Sequence, residues 1–312
     1  MKEEKIICRA LTGPTACGKT ELSLRLAEKR GWEIACMDSM QIYRGMDIGT
    51  AKPTAEERRR VKHHLLDIRD PADAFSVTMY REAAEELIRA KRAEGKELLF
   101  VGGTGLYLQA LARPMEMGSV PPNEPLRQEL RELSASPGGR EKLHERLREL
   151  DPETAERLPV NDVRRIIRAV EVTLGTGIPF SRQPQRQESS AFSWRIVSLS
   201  RPREMLYDRI NRRVRRMFEM GLAEEVRGLI DRGVPPDAQS MQALGYKETI
   251  LYLRGERSLE KTVEEIQKGT RHYAKRQETF LRREPGIRYI DALSPDAADR
   301  AELALDAETG EV

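Results

Sequence analysis

A glycine-rich segment near the start of the chain has the residue types of a phosphate-binding loop. Residues 13–20 read Gly-Pro-Thr-Ala-Cys-Gly-Lys-Thr and fit the pattern G-x-x-x-x-G-K-[ST]. Glycines let successive backbone N–H groups point at one anion, and a following helix N-terminus adds a positive field. The segment therefore predicts a site for a chain of phosphates, in which Lys19 supplies a cation and Thr20 a hydroxyl ligand for Mg²⁺. The predicted phosphate-binding residues are Gly13, Pro14, Thr15, Ala16, Cys17, Gly18, Lys19 and Thr20.

The motif leaves the ligand open between a nucleotide and another diphosphate ester. Hydrolases with this loop carry an acidic residue at the end of a second strand, where it holds Mg²⁺. Here the apolar run 98–101 is followed by Gly-Gly-Thr-Gly, without a carboxylate, which weakens an ATPase interpretation. The strand-end acid near the loop is Asp38. Its carboxylate is a candidate proton acceptor, and it is equally suited to cap the following turn.

Cysteine and histidine do not form the patterns of a metal site. Cys8, Cys17 and Cys36 make neither a disulfide framework nor a CxxC pair, so we expect buried thiols in a reducing cytoplasm. His63 and His64 lack a third ligand at suitable spacing. We expect both histidines to form hydrogen bonds or to pack.

Alternating strands and helices are predicted to position the loop and the acid. Apolar runs predict strands at 6–11, 33–37, 97–101 and 194–199, and helical periodicity lies between them at 20–29, 78–94 and 106–112. This order favours an α/β fold, a parallel sheet covered by helices. Prolines then precede Arg/Glu-rich helices at 126–134, 140–150 and 161–174. We predict a catalytic core of residues 1–118 and 192–312, and a helical insertion at 119–191.

Charge is distributed unevenly along the 312 residues. The chain carries 54 Lys+Arg and 51 Asp+Glu, a net charge of +3. Residues 291–312 hold seven acids and one arginine, a charge of −6, so residues 1–290 carry 3 − (−6) = +9. A basic body suits a polyanionic partner, and we expect the acidic tail to fray. Without an apolar run of about 18 residues or a secretory signal, we expect a cytoplasmic monomer that does not bind membranes.

The ordered motifs resemble the bacterial tRNA dimethylallyltransferases, also called tRNA isopentenyltransferases. Besides the loop, the matching segments are 38–43, 47–53, 63–67, 102–107, 161–168, 245–248 and 270–277. The resemblance implies a P-loop NTPase-like fold with an inserted helical domain. It also implies transfer of a dimethylallyl group from dimethylallyl diphosphate to N6 of the adenosine immediately 3′ of the anticodon. The implied substrates are tRNAs reading codons that start with U, and the products are N6-isopentenyladenosine and diphosphate.

The residues make chemical sense of that reaction. Breaking an allylic C–O bond puts negative charge on the departing diphosphate, which Lys19, the loop N–H groups and Mg²⁺ at Thr20 would stabilise. The amine nucleophile needs a proton acceptor, and the resemblance implies this role for Asp38. Thr104 resembles the family threonine that contacts the reacting centre, although it could also cap the following helix. Arg213 matches a family arginine near the diphosphate.

The resemblance further implies contacts with the anticodon stem-loop of tRNA. A predicted helix at 263–283 carries Lys268, Arg271, Lys275 and Arg282 on one face, away from its apolar stripe. The target base must leave its stack to be modified. The implied tRNA-binding residues are Asp38, Ser39, Met40, Gln41, Thr104, Arg127, Arg164, Arg165, Arg168, Gln242, Gly245, Tyr246, Lys247, Lys275, Arg276, Gln277 and Arg282.

Three alternative functions are not excluded by the residues alone. A small-molecule P-loop kinase would turn over ATP, and the missing second-strand acid argues against it. An adenylate isopentenyltransferase would act on free nucleotides, without need of the Arg-rich insertion. A non-catalytic RNA-binding protein would not need the intact loop beside Asp38. Prenyl transfer assayed with tRNA, AMP or no acceptor separates these alternatives.

Overall fold

The computed structural model describes residues 5–113, 120–183 and 191–307. The chain divides into two compact units. Unit 1 is formed by 1–113 with 190–312, and unit 2 by 114–189. These limits lie close to the predicted boundaries at 119 and 191.

Unit 1 is built on a six-stranded parallel sheet. The strands are β1 Ile6–Thr12, β2 Glu33–Cys36, β3 His63–His64, β4 Leu98–Val101, β5 Phe192–Ser200 and β6 Ile287–Asp291. Their order is β3-β2-β4-β1-β5-β6, and every pairing is parallel. The carboxyl ends of all strands therefore lie at one edge, where ligands bind in open α/β sheets. The predicted α/β fold is confirmed, with β3 and β6 as strands that the apolar runs did not reveal.

Thirteen α-helices complete the described chain. They are α1 Lys19–Arg30, α2 Ala55–Arg60, α3 Val77–Ala93, α4 Gly105–Ala112, α5 Glu124–Ala135, α6 Gly139–Leu150, α7 Pro152–Arg157, α8 Val163–Thr176, α9 Arg203–Glu219, α10 Leu222–Asp231, α11 Tyr246–Leu253, α12 Leu259–Leu281 and α13 Ala297–Asp306. Side chains on the two faces of the sheet enter separate apolar clusters: Ala10 and Phe100 lie in one, and Leu11 and Leu99 in the other. Helices therefore cover both faces. Among the described residues, no helix is long and apolar enough to cross a membrane.

Unit 2 is a small helical bundle with its own core. Helices α5, α6 and α8 pack around Leu130, Leu143 and Ile166, which are fully buried. Asp151 lies between α6 and α7. There the Asp151 carboxylate accepts a hydrogen bond from the Thr154 N–H at 3.1 Å and begins the new helix.

The acidic tail corrects a prediction, since its described part does not fray. Residues 287–291 form the edge strand β6, and 297–306 form α13, whose Ala301 and Leu305 are buried against the core. The buried Arg9 on β1 donates to the Leu305 carbonyl at 3.2 Å and lies 3.3 Å from Asp306. The high acid content of this segment led to the prediction of a frayed tail. The segment folds as an amphipathic helix because its carboxylates pair with cations of unit 1.

Candidate active site

The phosphate-binding loop joins β1 to α1 in a conformation that its glycines allow. Gly13 has a φ of 140°, in the region that favours glycine. A side chain there would come within 2.7 Å of the Leu199 carbonyl oxygen on β5. The Nζ of Lys19 lies 2.9 Å from the carbonyl oxygens of Gly13 and Pro14. Its ammonium group is therefore held at the loop, where it can contact a bound phosphate.

Three arginines that follow β5 contact the same loop. Nε of Arg201 and Nε of Arg209 donate to loop carbonyl oxygens at 3.3 and 2.9 Å, and Nη1 of Arg213 lies 3.4 Å from the Thr15 hydroxyl. Burial lowers the pKa of Arg213, and the nearby Asp38 carboxylate opposes that fall. A guanidinium stays charged regardless. Arg201 was not singled out from the sequence, although it directly follows a strand that ends beside the loop.

Asp38 lies two residues beyond β2, at the same edge of the sheet. Its Oδ1 accepts a hydrogen bond from the Met40 N–H at 2.9 Å, which is the turn-capping contact considered from the sequence. The cap does not compete with a chemical role. It fixes the orientation of a carboxylate that lines the cavity described below.

The Gly-Gly-Thr-Gly segment after β4 packs against the turn that carries Asp38. A side chain at Gly102 would lie 1.9 Å from the Met37 carbonyl oxygen, so only glycine fits. Thr104 precedes α4, yet its hydroxyl does not cap that helix. Instead it accepts from the Ser39 N–H at 3.0 Å and lies 3.4 Å from Ser39 Oγ. Thr104 thus connects the segment after β4 to the Asp38 turn.

Helix α12 contributes two side chains to the site. Oε1 of Gln277 accepts from the Thr15 N–H at 2.9 Å, and its Nε2 donates to the Gly103 carbonyl at 2.7 Å. The buried amide therefore has an internal role, and the implied tRNA contact of Gln277 stays a prediction. Tyr273, which belongs to the apolar stripe in the sequence, lines the cavity. Burial raises the pKa of its hydroxyl, and nearby Asp38 raises it further.

The phosphate loop, Asp38, Arg213, Gln277 and Tyr273 line one cavity of about 300 Å³, whereas Arg201 and Thr104 are not among its lining residues. The phosphate loop and Asp38 open onto the same space, which has the size of a small-ligand site. Cationic and hydroxyl side chains line one part of the cavity. Apolar side chains line another part, namely those of Ile34, Leu66 and Val101. Its polar lining also includes Thr15, Lys19, Thr20, Gln41, Arg209, Arg213 and Tyr273, together with Glu21, Glu57 and His63.

The expected burial of the cysteines and the expected hydrogen bonds of the histidines are confirmed by the contacts. Cys8, Cys17 and Cys36 are buried free thiols. Nδ1 of His63 lies 2.8 Å from the Val61 carbonyl, and Nε2 of His64 lies 2.6 Å from a Glu33 carboxylate oxygen. Within the described ranges, no three His, Cys, Asp or Glu side chains are grouped to hold a metal ion.

The predicted tRNA-binding residues of unit 1 fall into three groups by exposure. Fully buried Tyr246 donates its hydroxyl to Glu225 at 2.6 Å, and Gly245 directly precedes α11 with a φ of 98°. Side-chain contact with tRNA at Tyr246 stays a prediction that this packing does not support. Half-buried Ser39, Met40 and Gln41 surround Asp38. The exposed residues are Gln242, Lys247, Lys275, Arg276 and Arg282.

In unit 2, the predicted arginines also differ in exposure. The Glu171 carboxylate, 1% exposed, forms two contacts with Arg127 at 2.8 and 2.9 Å and one with Arg168 at 2.5 Å. Burial opposes ionisation of Glu171, but these hydrogen bonds hold its pKa below the usual value. Arg164 and Arg165 are exposed, and the Arg165 side chain is 74% accessible. The internal ion pairs and the exposed cations therefore form separate sets.

The parallel sheet and the loop after its first strand define a P-loop α/β protein. Sequence comparison gives a narrower assignment, because residues 41–284 match the profile described as IPP transferase. The chain belongs to the IPP transferase family. It is 45% identical to a tRNA dimethylallyltransferase of Geobacillus thermodenitrificans, over 94% of this chain and 92% of that protein. It is 47% identical to one of Thermotoga neapolitana, over 87% and 88% of the two chains.

Solved structures agree with this family assignment. A full-length tRNA isopentenylpyrophosphate transferase from Bacillus halodurans superposes with a TM-score of 0.70 at 39% identity, covering 97% of both chains. A eukaryotic dimethylallyltransferase acting on tRNA gives a TM-score of 0.77 at 27% identity, covering 96% of this chain and 78% of that one. The resemblance stated from the sequence motifs is therefore confirmed.

Proposed function

We propose that the protein transfers a dimethylallyl group from dimethylallyl diphosphate to N6 of the adenosine immediately 3′ of the anticodon. Its substrates are tRNAs reading codons that start with U. The observation that supports this most directly is the shared cavity, onto which both the phosphate loop and the strand-end carboxylate of Asp38 open. The names of the relatives describe the same activity.

In this reaction the allylic C–O bond breaks, the N6–C bond forms, and a proton leaves N6. Lys19, Arg213 and the loop N–H groups stabilise the negative charge that develops on the departing diphosphate. Asp38 accepts the proton, since its carboxylate faces the cavity and is oriented by Met40. Thr104 acts beside it by holding the Asp38 turn through Ser39. The diphosphate leaves intact, and no ATP is consumed.

The residues of the cavity fit Mg²⁺ as a cofactor. Mg²⁺ prefers oxygen ligands and is often held by few protein groups together with substrate phosphates and water. The hydroxyl of Thr20 and the carboxylate of Asp38 both line the cavity and are hard oxygen donors. We assign Thr20 as the protein ligand. When bound, the ion neutralises charge on the diphosphate oxygens.

Exposed cations form the proposed contact surfaces for the anticodon stem-loop. Lys275, Arg276 and Arg282 follow one helix of unit 1, and Arg164 and Arg165 lie on unit 2. Arginine and lysine side chains contact RNA phosphates, which position the substrate. The target base is extruded from its stack to enter the cavity. The protein acts on tRNA as a cytoplasmic monomer.

The test is prenyl transfer from labelled dimethylallyl diphosphate, with tRNA, AMP or no acceptor in parallel. We expect label in tRNA alone, and D38N is expected to lower this transfer about 10²- to 10⁴-fold. The variant keeps an oxygen that can accept from Met40, so diphosphate affinity should stay unchanged. Label in AMP would instead indicate an adenylate isopentenyltransferase, and wild-type turnover by D38N would exclude Asp38 as the base.

A further inference from the structure

One carboxylate of helix α10 holds a turn in the cavity wall. Oε2 of Glu225 accepts from the N–H groups of Asp47 and Ile48 at 2.9 and 2.7 Å, and Oε1 accepts from Gly49 N–H at 3.2 Å. The hydroxyl of Tyr246 donates to Oε1 at 2.6 Å. Four donors thus converge on one carboxylate, and hydrogen bonds to charged groups are the stronger ones.

The buried Tyr246 ring supports the same turn by contact. A side chain at Gly49 would come within 2.5 Å of this ring, so the backbone and the ring are closely packed. Burial and the nearby Glu225 carboxylate both raise the pKa of the Tyr246 hydroxyl, which keeps it a donor. The 47–51 turn is therefore held in two ways, by hydrogen bonds to the Glu225 carboxylate and by packing against the Tyr246 ring.

The turn at residues 47–51, held by Glu225 and Tyr246, orients the side-chain amide of Gln41. Nε2 of Gln41 donates to the carbonyl oxygens of Thr50 and Ala51 at 3.1 and 3.2 Å. Both carbonyl oxygens are acceptors only, so the amide nitrogen faces them. The amide oxygen faces the other way, where it accepts from the Cys36 thiol at 3.4 Å. Gln41, Thr50 and Ala51 all line the cavity that also contains Asp38.

We propose that Glu225 is a positioning residue for the acceptor side of the reaction. Acting through the 47–51 turn, it fixes the orientation of the Gln41 amide in the cavity wall. The phosphate loop has separate contacts with α9 and α12, so diphosphate binding does not depend on Glu225. This inference rests on the proposed function, because it assigns a residue to that same site.

The test is a double-mutant cycle between Glu225 and Gln41. E225Q places an amide among four donors, and we expect kcat/KM for tRNA to fall about tenfold. Affinity for inorganic diphosphate should change less than about twofold, since its contacts are elsewhere. In a Q41A background, E225Q should lower kcat/KM for tRNA by less than a further factor of about two. Residues that act as one unit have non-additive effects.

The matched control is E224Q, since Glu224 is the exposed neighbour on the same helix. It should behave as wild type. If wild-type enzyme transfers no prenyl group to tRNA, the proposed function fails. If wild type is active and E225Q loses the same factor with and without Gln41, the positioning role alone is overturned. Should E225Q not fold, G49A displaces the turn against the Tyr246 ring, and the same cycle with Q41A decides.

Discussion

At the scale of single residues, Gln277 shows how the site is assembled across distant parts of the chain. Its amide joins Thr15 of the phosphate loop to Gly103 after β4, each through a hydrogen bond under 3 Å. A buried amide whose two ends are both satisfied holds its partners in one register. The loop is therefore preorganised from a helix more than 250 residues further along.

Removing this amide should weaken the phosphate site. We expect Q277A to lower the affinity for inorganic diphosphate about tenfold, because the Thr15 N–H and Gly103 carbonyl lose their buried partner. Isothermal titration with diphosphate and Mg²⁺ measures the change. The control is T279A, at an exposed position two residues along the same helix. Equal affinity in both variants would show that Gln277 does not organise the loop.

At the scale of secondary-structure elements, the bundle of unit 2 depends on one buried carboxylate. Glu171 on α8 bonds Arg127 on α5 and the Asn123 N–H that precedes it. A buried acid is tolerated when charge and hydrogen bonds compensate it. Two helices are thereby joined through an ion pair beside their apolar core.

We expect E171Q to lower the free energy of unfolding by about 1–3 kcal/mol at neutral pH. The folded pKa of Glu171 lies below its ordinary value, so its contribution is present above the unfolded pKa. It is lost as pH falls through the folded pKa, and the difference between wild type and E171Q should shrink below about pH 4. Thermal unfolding from pH 3 to 7 checks this, with the exposed E149Q as control. A pH-independent difference would contradict the assignment.

At the scale of the whole molecule, tRNA binding is expected to depend on exposed cations. Each phosphate contact adds about 0.7–0.9 to the slope of log K against log salt. The family resemblance implied tRNA contacts for Arg164, Arg165 and Arg168 alike. Arg168 pairs with Glu171 in the structure, so the exposed pair is Arg164 and Arg165.

Replacing the exposed pair and the internal pair should therefore give opposite results. R164A/R165A should raise the tRNA KM and reduce the salt slope by about 1.5, with little change in thermal stability. R127A/R168A should lower thermal stability, because it removes both cationic partners of the buried Glu171 and leaves the hydrogen bond from the Asn123 N–H. Filter binding at several salt concentrations and thermal melts separate the two effects. An unchanged slope in R164A/R165A would remove these residues from the tRNA surface.

Local patterns in the sequence were sufficient for the phosphate loop, for Asp38 and for most helices. The loop is recognisable because all the residues that define it lie within eight consecutive positions. The structural contacts of Gln277, Glu225 and Tyr246 could not be predicted from local patterns, since these residues bond to parts of the chain that are distant in sequence. Strand β3 has only two residues, too few for a periodic signal. Helix α13 was not predicted, because its many acidic residues indicated a frayed tail and its apolar stripe of alanine and leucine is short.

The place of β1 in the sheet has a consequence for how the chain folds during synthesis. One neighbour of β1, strand β5, emerges from the ribosome about 180 residues later. Unit 2 needs only contacts within its own segment. Since domains fold as their residues become available, we expect the helical bundle to resist protease on stalled ribosomes before the phosphate loop does. The nascent enzyme then gains its catalytic centre only after β5, α9 and α12 have been synthesised, since their residues contact the phosphate loop.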